Sequence, residues 1–142
     1  MNSLTTIKKN LISALQNRPE IIFAILYGSA TEGVTLGDGP SLNDGPSFND
    51  LDIGLFVDRE QIPATQDLDY TFDLTNQLEQ VTPHPVDARI INNAPLSFLY
   101  NVSKGVPLII NDTESYFTFL EQTWDKFFDF RPVAMQYLKE MS

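Results

Sequence analysis

Seven apolar residues in a row, Ile21-Ile-Phe-Ala-Ile-Leu-Tyr27, end abruptly in Gly28-Ser29. The run is far too short to span a bilayer. A strand that is apolar without alternating is expected to be covered on both faces, so layers of helix must lie on either side of its sheet. The flanking sequence supplies the first of them. Leu4, Ile7, Leu11, Ile12 and Leu15 fall on one helical stripe, with Lys8, Lys9 and Gln16 off it, and Pro19 stops the pattern.

After Ser29, twenty residues (30–49) intervene before Asp50-Leu51-Asp52 opens a second apolar run, Ile53-Gly54-Leu55-Phe56-Val57. From Thr35 to Asn49 the composition shifts to Gly, Pro, Ser, Asn and Asp, which is loop chemistry. A tandem repeat lies in it, Gly39-Pro-Ser-Leu-Asn-Asp44 followed at once by Gly45-Pro-Ser-Phe-Asn-Asp50. Asp44 is followed by Gly45-Pro46, and proline cannot donate to an interior ladder. Asp50 is therefore the carboxylate expected to begin a strand. Asp50 and Asp52 stand at period two and share one face of it.

Tyr70, Leu74, Leu78 and Val81 make a further helical stripe between Pro63 and Pro83. Pro85 to Ile91 reads as a strand with Val86, Ala88 and Ile90 on one face and Asp87, Arg89 and Ile91 on the other. A short helix over Leu96 to Val102, a stop at Gly105, a short strand from Val106 to Ile110 and a helix N-cap at Asp112 are expected next. Phe117, Leu120, Trp124, Phe127 and Phe128 stripe the helix that follows, an aromatic face that serves either as core or as a partner interface. Pro132 is expected to break or restart it before the Ala134, Tyr137, Leu138, Met141 stripe.

The 142 residues fit one domain, 1–142, with an inserted loop at about 35–49 and C-terminal helices at about 112–141. A formal charge of -10 repels phosphate backbones, so direct nucleic-acid binding is not expected, whereas a basic protein partner or a cation-filled acidic site is. Zero cysteines exclude disulfides, thiolate nucleophiles and cysteine-based zinc sites, and a single His84 between two prolines gives a hydrolytic triad little to build on. With no signal-type apolar block at the start, the chain reads as soluble, cytoplasmic and without membrane association.

Asp50 and Asp52 on one strand and Asp87 on a neighbour converge if the strands pair. Two carboxylates about 6 Å apart repel by roughly 3 kcal/mol at an effective dielectric of about 20, and a third adds to that. Divalent ions offset such crowding, and magnesium suits all-oxygen ligands completed by phosphates. Gly54, on the same face, is expected to leave room for a ligand. The plainer alternative has Asp50 capping a turn, Asp52 solvated at an edge and Asp87 paired with Arg89. Ser29 with Glu32 is both a capping box and, at a helix start after a buried strand, a place for a phosphate. Arg89 and Lys104 are candidates to steady a triphosphate.

In the order Gly28-Ser29, Asp50-Leu51-Asp52, Asp87, the chain resembles the polymerase-β-like nucleotidyltransferases. It looks most like their small free-standing branch, the minimal nucleotidyltransferase (MNT) antitoxins encoded beside HEPN toxins. The resemblance implies an α+β fold, a small mixed β-sheet flanked by helices. It also implies ATP as substrate and Mg²⁺ as cofactor, with two ions. By the same resemblance Gly28 and Ser29 bind the nucleotide, and Asp50, Asp52 and Asp87 are both the metal ligands and the catalytic set, Asp87 helping to activate the attacking hydroxyl. The implied activity is transfer of AMP to a tyrosine of a HEPN ribonuclease, neutralising it. Two alternatives stand beside it: an antitoxin that acts by binding alone, and an enzyme that nucleotidylates a small molecule. The chain departs from the family in two places. Ser29 and Asp50 are unusually far apart, an excess the hexapeptide repeat largely supplies, and Ala30, Thr31 and Glu32 stand where basic residues are common.

Overall fold

In the computed structural model the described residues are 4–31 and 50–141, with side chains described as far as Asp129. Four strands, β1 (Ile21–Tyr27), β2 (Leu51–Val57), β3 (Val86–Ile90) and β4 (Val106–Ile110), form one sheet in the order β3-β2-β1-β4. β1 pairs antiparallel with both β2 and β4, while β2 and β3 run parallel. The sheet is therefore mixed, as expected. The helices are α1 (Leu4–Leu15), α2 (Asp67–Leu78), α3 (Leu96–Ser103) and α4 (Thr113–Met141).

The uninterrupted apolar run of β1 finds cover on both sides. Ala24 and Leu26 join Leu51, Ile53, Leu55 and Val57 of β2 in a cluster closed by Ile7, Leu11 and Leu15 of α1 and by Leu74 and Leu78 of α2. Phe23, Ile25 and Tyr27 face the other way, against Val102 and Phe98 of α3 and Tyr116 and Phe119 of α4. Each of these large side chains contributes roughly 1.5 to 3 kcal/mol when fully withdrawn from water. The register shifts between Ile21 and Phe23, so Ile21 packs with α1 and α2 while Ile22 and Phe23 both turn toward α3 and α4. Pro107 is accommodated because β4 is an edge strand.

Two short-range devices set the parallel pair. Leu51 N donates to Pro85 O at 2.9 Å, and the carboxylate of Glu79, the residue that caps α2, accepts from Val86 N at 2.8 Å, so the end of α2 fixes where β3 begins. At the opposite end the Asn92 amide closes on Val57 like a third strand, donating to its carbonyl at 2.8 Å and accepting from its N–H at 3.0 Å.

Several boundaries differ from the sequence expectation. α2 stops at Leu78, and Val81 packs on the core from the turn beyond it. α4 runs without interruption through Pro132, which is a correction: a proline removes one intrahelical hydrogen bond, and a 29-residue helix continues across that loss. Asp112 stands just before α4, where its carboxylate accepts from the Ser115 hydroxyl at 2.6 Å. The hexapeptide repeat up to Asn49, with Asp44 and Glu32, lies outside the described residues.

Candidate active site

Strand pairing, not sequence proximity, assembles the acidic site. Tyr27 is opposite Asp52 across β1 and β2, and Asp52 is opposite Asp87 across β2 and β3, so the three side chains form a row on the face covered by α3 and α4. Asp50 stands one residue before β2, exposed, and near enough for its charge to act on Asp52. β1 ends at the same edge in Gly28, whose φ of 81° lies in the left-handed region that favours glycine. A Cβ there would come within 2.5 Å of Asp52 Oδ2, so Gly28 lets the turn close directly over that carboxylate.

Electrostatics follow from this crowding. Burial first, then the charges of Asp87 and Asp50, push the Asp52 carboxyl above its ordinary value, and Arg89 opposes the rise. The Tyr27 hydroxyl is pushed up to about 12 by burial, then by Asp52, with Arg89 opposing and Asp87 adding to the rise. Arg89 is the local counter-charge. It donates through Nε to Asp87 Oδ2 at 3.2 Å, with Nη2 3.1 Å from the same oxygen, and its guanidinium carbon lies 5.9 Å from the centre of the Phe98 ring. Phe98 in turn meets Tyr27 edge-on at 5.6 Å.

Among the described residues no three Asp, Glu or His side chains are drawn together as a ready-made metal cage, and Asp87 is engaged by Arg89, the pairing that the plainer reading anticipated. The donor chemistry of Asp50, Asp52 and Asp87 nonetheless fits a divalent cation. All three are hard oxygen donors, and burial, then the like charges of Asp87 and Asp50, already raise the proton affinity of the half-buried Asp52.

Gly28 to Thr31 forms a 3-10 turn, and the rest of the expected helix start, with Glu32, lies outside the described residues. Ser29 is exposed on that turn, and the Thr31 hydroxyl donates to Gly28 O at 2.8 Å. Gly54 requires a correction. Its face is filled rather than open, since an added Cβ would lie 2.9 Å from Val102 Cγ1 and 3.2 Å from Ile91 Cγ2. The missing side chain admits α3, not a ligand. Lys104 sits over the Tyr100 ring at 5.0 Å, and His84 occupies the turn before β3, its N–H donating to the Thr82 hydroxyl at 3.3 Å. Sequence reasoning did not single out Tyr27 or Phe98. Tyr27 carried a signal, as the polar-tipped residue that ends β1 directly before Gly28-Ser29.

A cavity of about 470 Å³ opens further along the same face, between α3, α4 and the far ends of β2 and β3, with Phe56, Asn92, Leu96, Leu99 and Phe119 among its walls. The Val102–Gly54 contact lies between it and the carboxylates.

A mixed sheet of this order, with a glycine turn against paired carboxylates, defines a class. Residues 9–114 match the polymerase beta nucleotidyltransferase family, and the chain belongs to that family. Solved structures agree on the fold. A chain of a toxin-antitoxin crystal structure with AMP-PNP is 16% identical, with a TM-score of 0.65 over 94% of this chain and 97% of that one. A chain of the MntA-HepT toxin-antitoxin complex is 15% identical, with a TM-score of 0.62 over 96% of this chain and 97% of that one. A third match, in the complex of a tri-AMPylated Shewanella oneidensis HEPN toxin with its MNT antitoxin, is 16% identical, again with a TM-score of 0.62 over 96% of this chain and 97% of that one. No curated protein sequence matches the chain. Among the described residues no helix is long and apolar enough to cross a membrane.

Proposed function

We propose that this chain is a protein adenylyltransferase antitoxin, which transfers AMP from ATP to a tyrosine of a HEPN-type ribonuclease encoded beside it. The observation that carries the reading is the direct opposition of Asp52 and Asp87 beneath the Gly28 turn, with Asp50 alongside. The toxin-antitoxin complexes that share the fold, one with AMP-PNP and one with an AMPylated toxin, lend it support.

The chemistry is an in-line displacement. A phenolic oxygen of the acceptor bonds to the α-phosphorus, the bond from that phosphorus to the bridging oxygen breaks, and pyrophosphate leaves with the electron pair. The phenolic proton passes to a carboxylate, for which Asp87 is our assignment. Magnesium bound by Asp50, Asp52 and Asp87 would supply positive charge to the triphosphate and to both reacting oxygens. The remaining work belongs to the chain: Gly28 and Ser29 line the turn where the phosphates pass, and Tyr27 and Phe98 wall the inner side. Arg89 must release Asp87 before that carboxylate can serve, and a triphosphate is a natural alternative acceptor for its guanidinium.

Incubation with α-labelled ATP, Mg²⁺ and the HEPN-type neighbour tests the proposal. Label is expected on the neighbour with wild type and not with Asp50→Ala/Asp52→Ala; equal labelling by both proteins would sink it.

A second reading, neutralisation by binding alone, is favoured by the Arg89–Asp87 pair and by the absence of a preformed cage among the described residues. Full protection of cells by the double aspartate variant would select it. The small-molecule alternative lacks such support, because the cavity lies on the far side of the Val102–Gly54 contact.

A further inference from the structure

α4 exposes an aromatic stripe that the acidic site does not use. Phe117 is 59% exposed, Trp124 40% and Phe128 48%, although all three are large apolar side chains. At about 100° per residue they fall within one narrow arc, next to the face formed by Tyr116, Phe119, Leu120 and Thr123 that packs toward the core. On the arc's other side Glu121, Glu114, Asp125, Thr118 and Asp129 follow, all exposed, with Glu114 and Thr118 also at the edge of the cavity. Among the described residues, no lysine or arginine falls within the arc that these side chains span. Lys126 projects to the opposite flank, into the wall of the cavity.

The stripe also leads toward the site. Trp124 Nε1 donates to Ser103 Oγ at 2.9 Å, and Ser103 is two residues from Gly105, where an added Cβ would lie 2.3 Å from Leu26 O and 2.9 Å from Tyr27 Cβ. The Trp124 end of the stripe is therefore anchored beside the strand end that carries Tyr27, and the Phe117 end points away from it.

We propose that this face of α4 docks the acceptor protein, through a surface that sets an apolar ridge beside a row of Lys or Arg. The proposal rests on the adenylyltransferase antitoxin reading and adds the surface and the chemistry of its partner. Charge complementarity selects the occupant. A ridge of aromatics supplies the desolvated anchors that dominate interface energies, and a flank that carries four carboxylates and no cation among the described residues rewards a cationic counterpart. A ribonuclease must carry such cations to hold a phosphate backbone. A second copy of this chain brings another charge of -10 and the same acidic flank, so it is the disfavoured occupant.

The test measures the affinity of the full chain for its HEPN-type neighbour by calorimetry at two salt concentrations, beside labelling of that neighbour from α-labelled ATP. Phe117→Ser and Glu121→Lys/Asp125→Lys each alter exposed side chains, and thermal melts confirm folding. Each is expected to weaken the complex about tenfold or more, and the wild-type affinity, unlike that of the lysine variant, is expected to fall steeply with salt. Leu68→Ser/Phe72→Ser, on the other strongly exposed apolar pair, in α2, is expected to leave the affinity unchanged. A wild-type complex that forms and labels normally, with α4 variants that bind equally well, overturns this proposal alone. Absence of any wild-type complex overturns the functional reading and this surface with it. Loss of binding through the α2 variant only, or a homodimer of the isolated chain that Phe117→Ser dissociates, assigns the face elsewhere and also overturns it.

Discussion

Gly28→Ala isolates the contact that the site depends on most directly. Two costs add. A non-glycine residue at a φ of 81° pays roughly 1 to 2 kcal/mol of backbone strain. The new Cβ would also stand 2.5 Å from Asp52 Oδ2 where ordinary contact begins at 3.4 Å, so the carboxylate or the turn must move by about 0.9 Å (3.4 − 2.5). For a chain of this size the strain alone lowers the melting temperature by about 3 to 8 °C. A displacement near 1 Å at a reacting group costs on the order of a hundredfold in rate. The variant is therefore expected to melt a few degrees early and to transfer label about a hundredfold more slowly at saturating ATP. A cycle with Asp52→Ala separates the two costs, because removing the carboxylate abolishes the clash and leaves the strain. Gly28→Ala is expected to destabilise the Asp52→Ala background by about 1 kcal/mol less than it destabilises wild type. A variant that melts and transfers like wild type, or a strictly additive cycle, would refute the claim that this glycine holds the turn against Asp52.

Three further outcomes follow from neighbouring residues. Asp52 has a folded pKa above its unfolded one, so its charge opposes folding at neutral pH, and this penalty is relieved as pH falls through the folded pKa toward 3.8; Asp52→Asn is expected to raise the metal-free melting temperature near neutrality, with the gain shrinking in acid, and a gain that grows in acid reverses the sign and defeats the assignment. Arg89→Gln removes the cation that occupies Asp87, so Mg²⁺ is expected to stabilise the variant against heat at about tenfold lower concentration than it does wild type, a concentration unchanged from wild type being the contrary result. Gly54→Ala pushes a methyl toward Val102 Cγ1 and is expected to cost about 1 to 3 kcal/mol in denaturant unfolding, but at least about 1 kcal/mol less when Val102 is already alanine; independence of the two changes would mean that α3 does not pack on that glycine.

The elements with strong periodicity were legible in the sequence, and so was the pairing of carboxylates across strands. Leu4 to Leu15 carried a stripe, and the alternation of Val86, Ala88 and Ile90 with Asp87 and Arg89 fixed which side of β3 is acidic. What the sequence lacked was information that arises only between elements. Gly54 looked like an opening because nothing local reveals that Val102, nearly fifty residues on, fills the space. Pro132 looked like a break because propensity treats one lost hydrogen bond as decisive, whereas α4 continues across it. Ser29 with Glu32 fitted a capping box, which lies outside the described residues, and nothing in that motif pointed to the Thr31 hydroxyl that donates to Gly28 O.

The placement of Tyr27 shows the same limit at its sharpest. A run of seven apolar residues has no alternation from which a phase can be taken, so the sequence does not say which face any of them meets. Strict alternation from Ile21, which packs with α1 and α2, would put Tyr27 six residues later on that same side, away from Asp52. The irregularity between Ile21 and Phe23 reverses the phase, and Phe23, Ile25 and Tyr27 all turn toward α3 and α4. One extra residue in β1 thus decides that Asp52 and Asp87 have a buried phenol beside them. It also explains why burial, ahead of the neighbouring charges, is the first cause of the raised Tyr27 hydroxyl. The acidic row and its aromatic wall are a consequence of register, and register is a property of the sheet before it is a property of any strand.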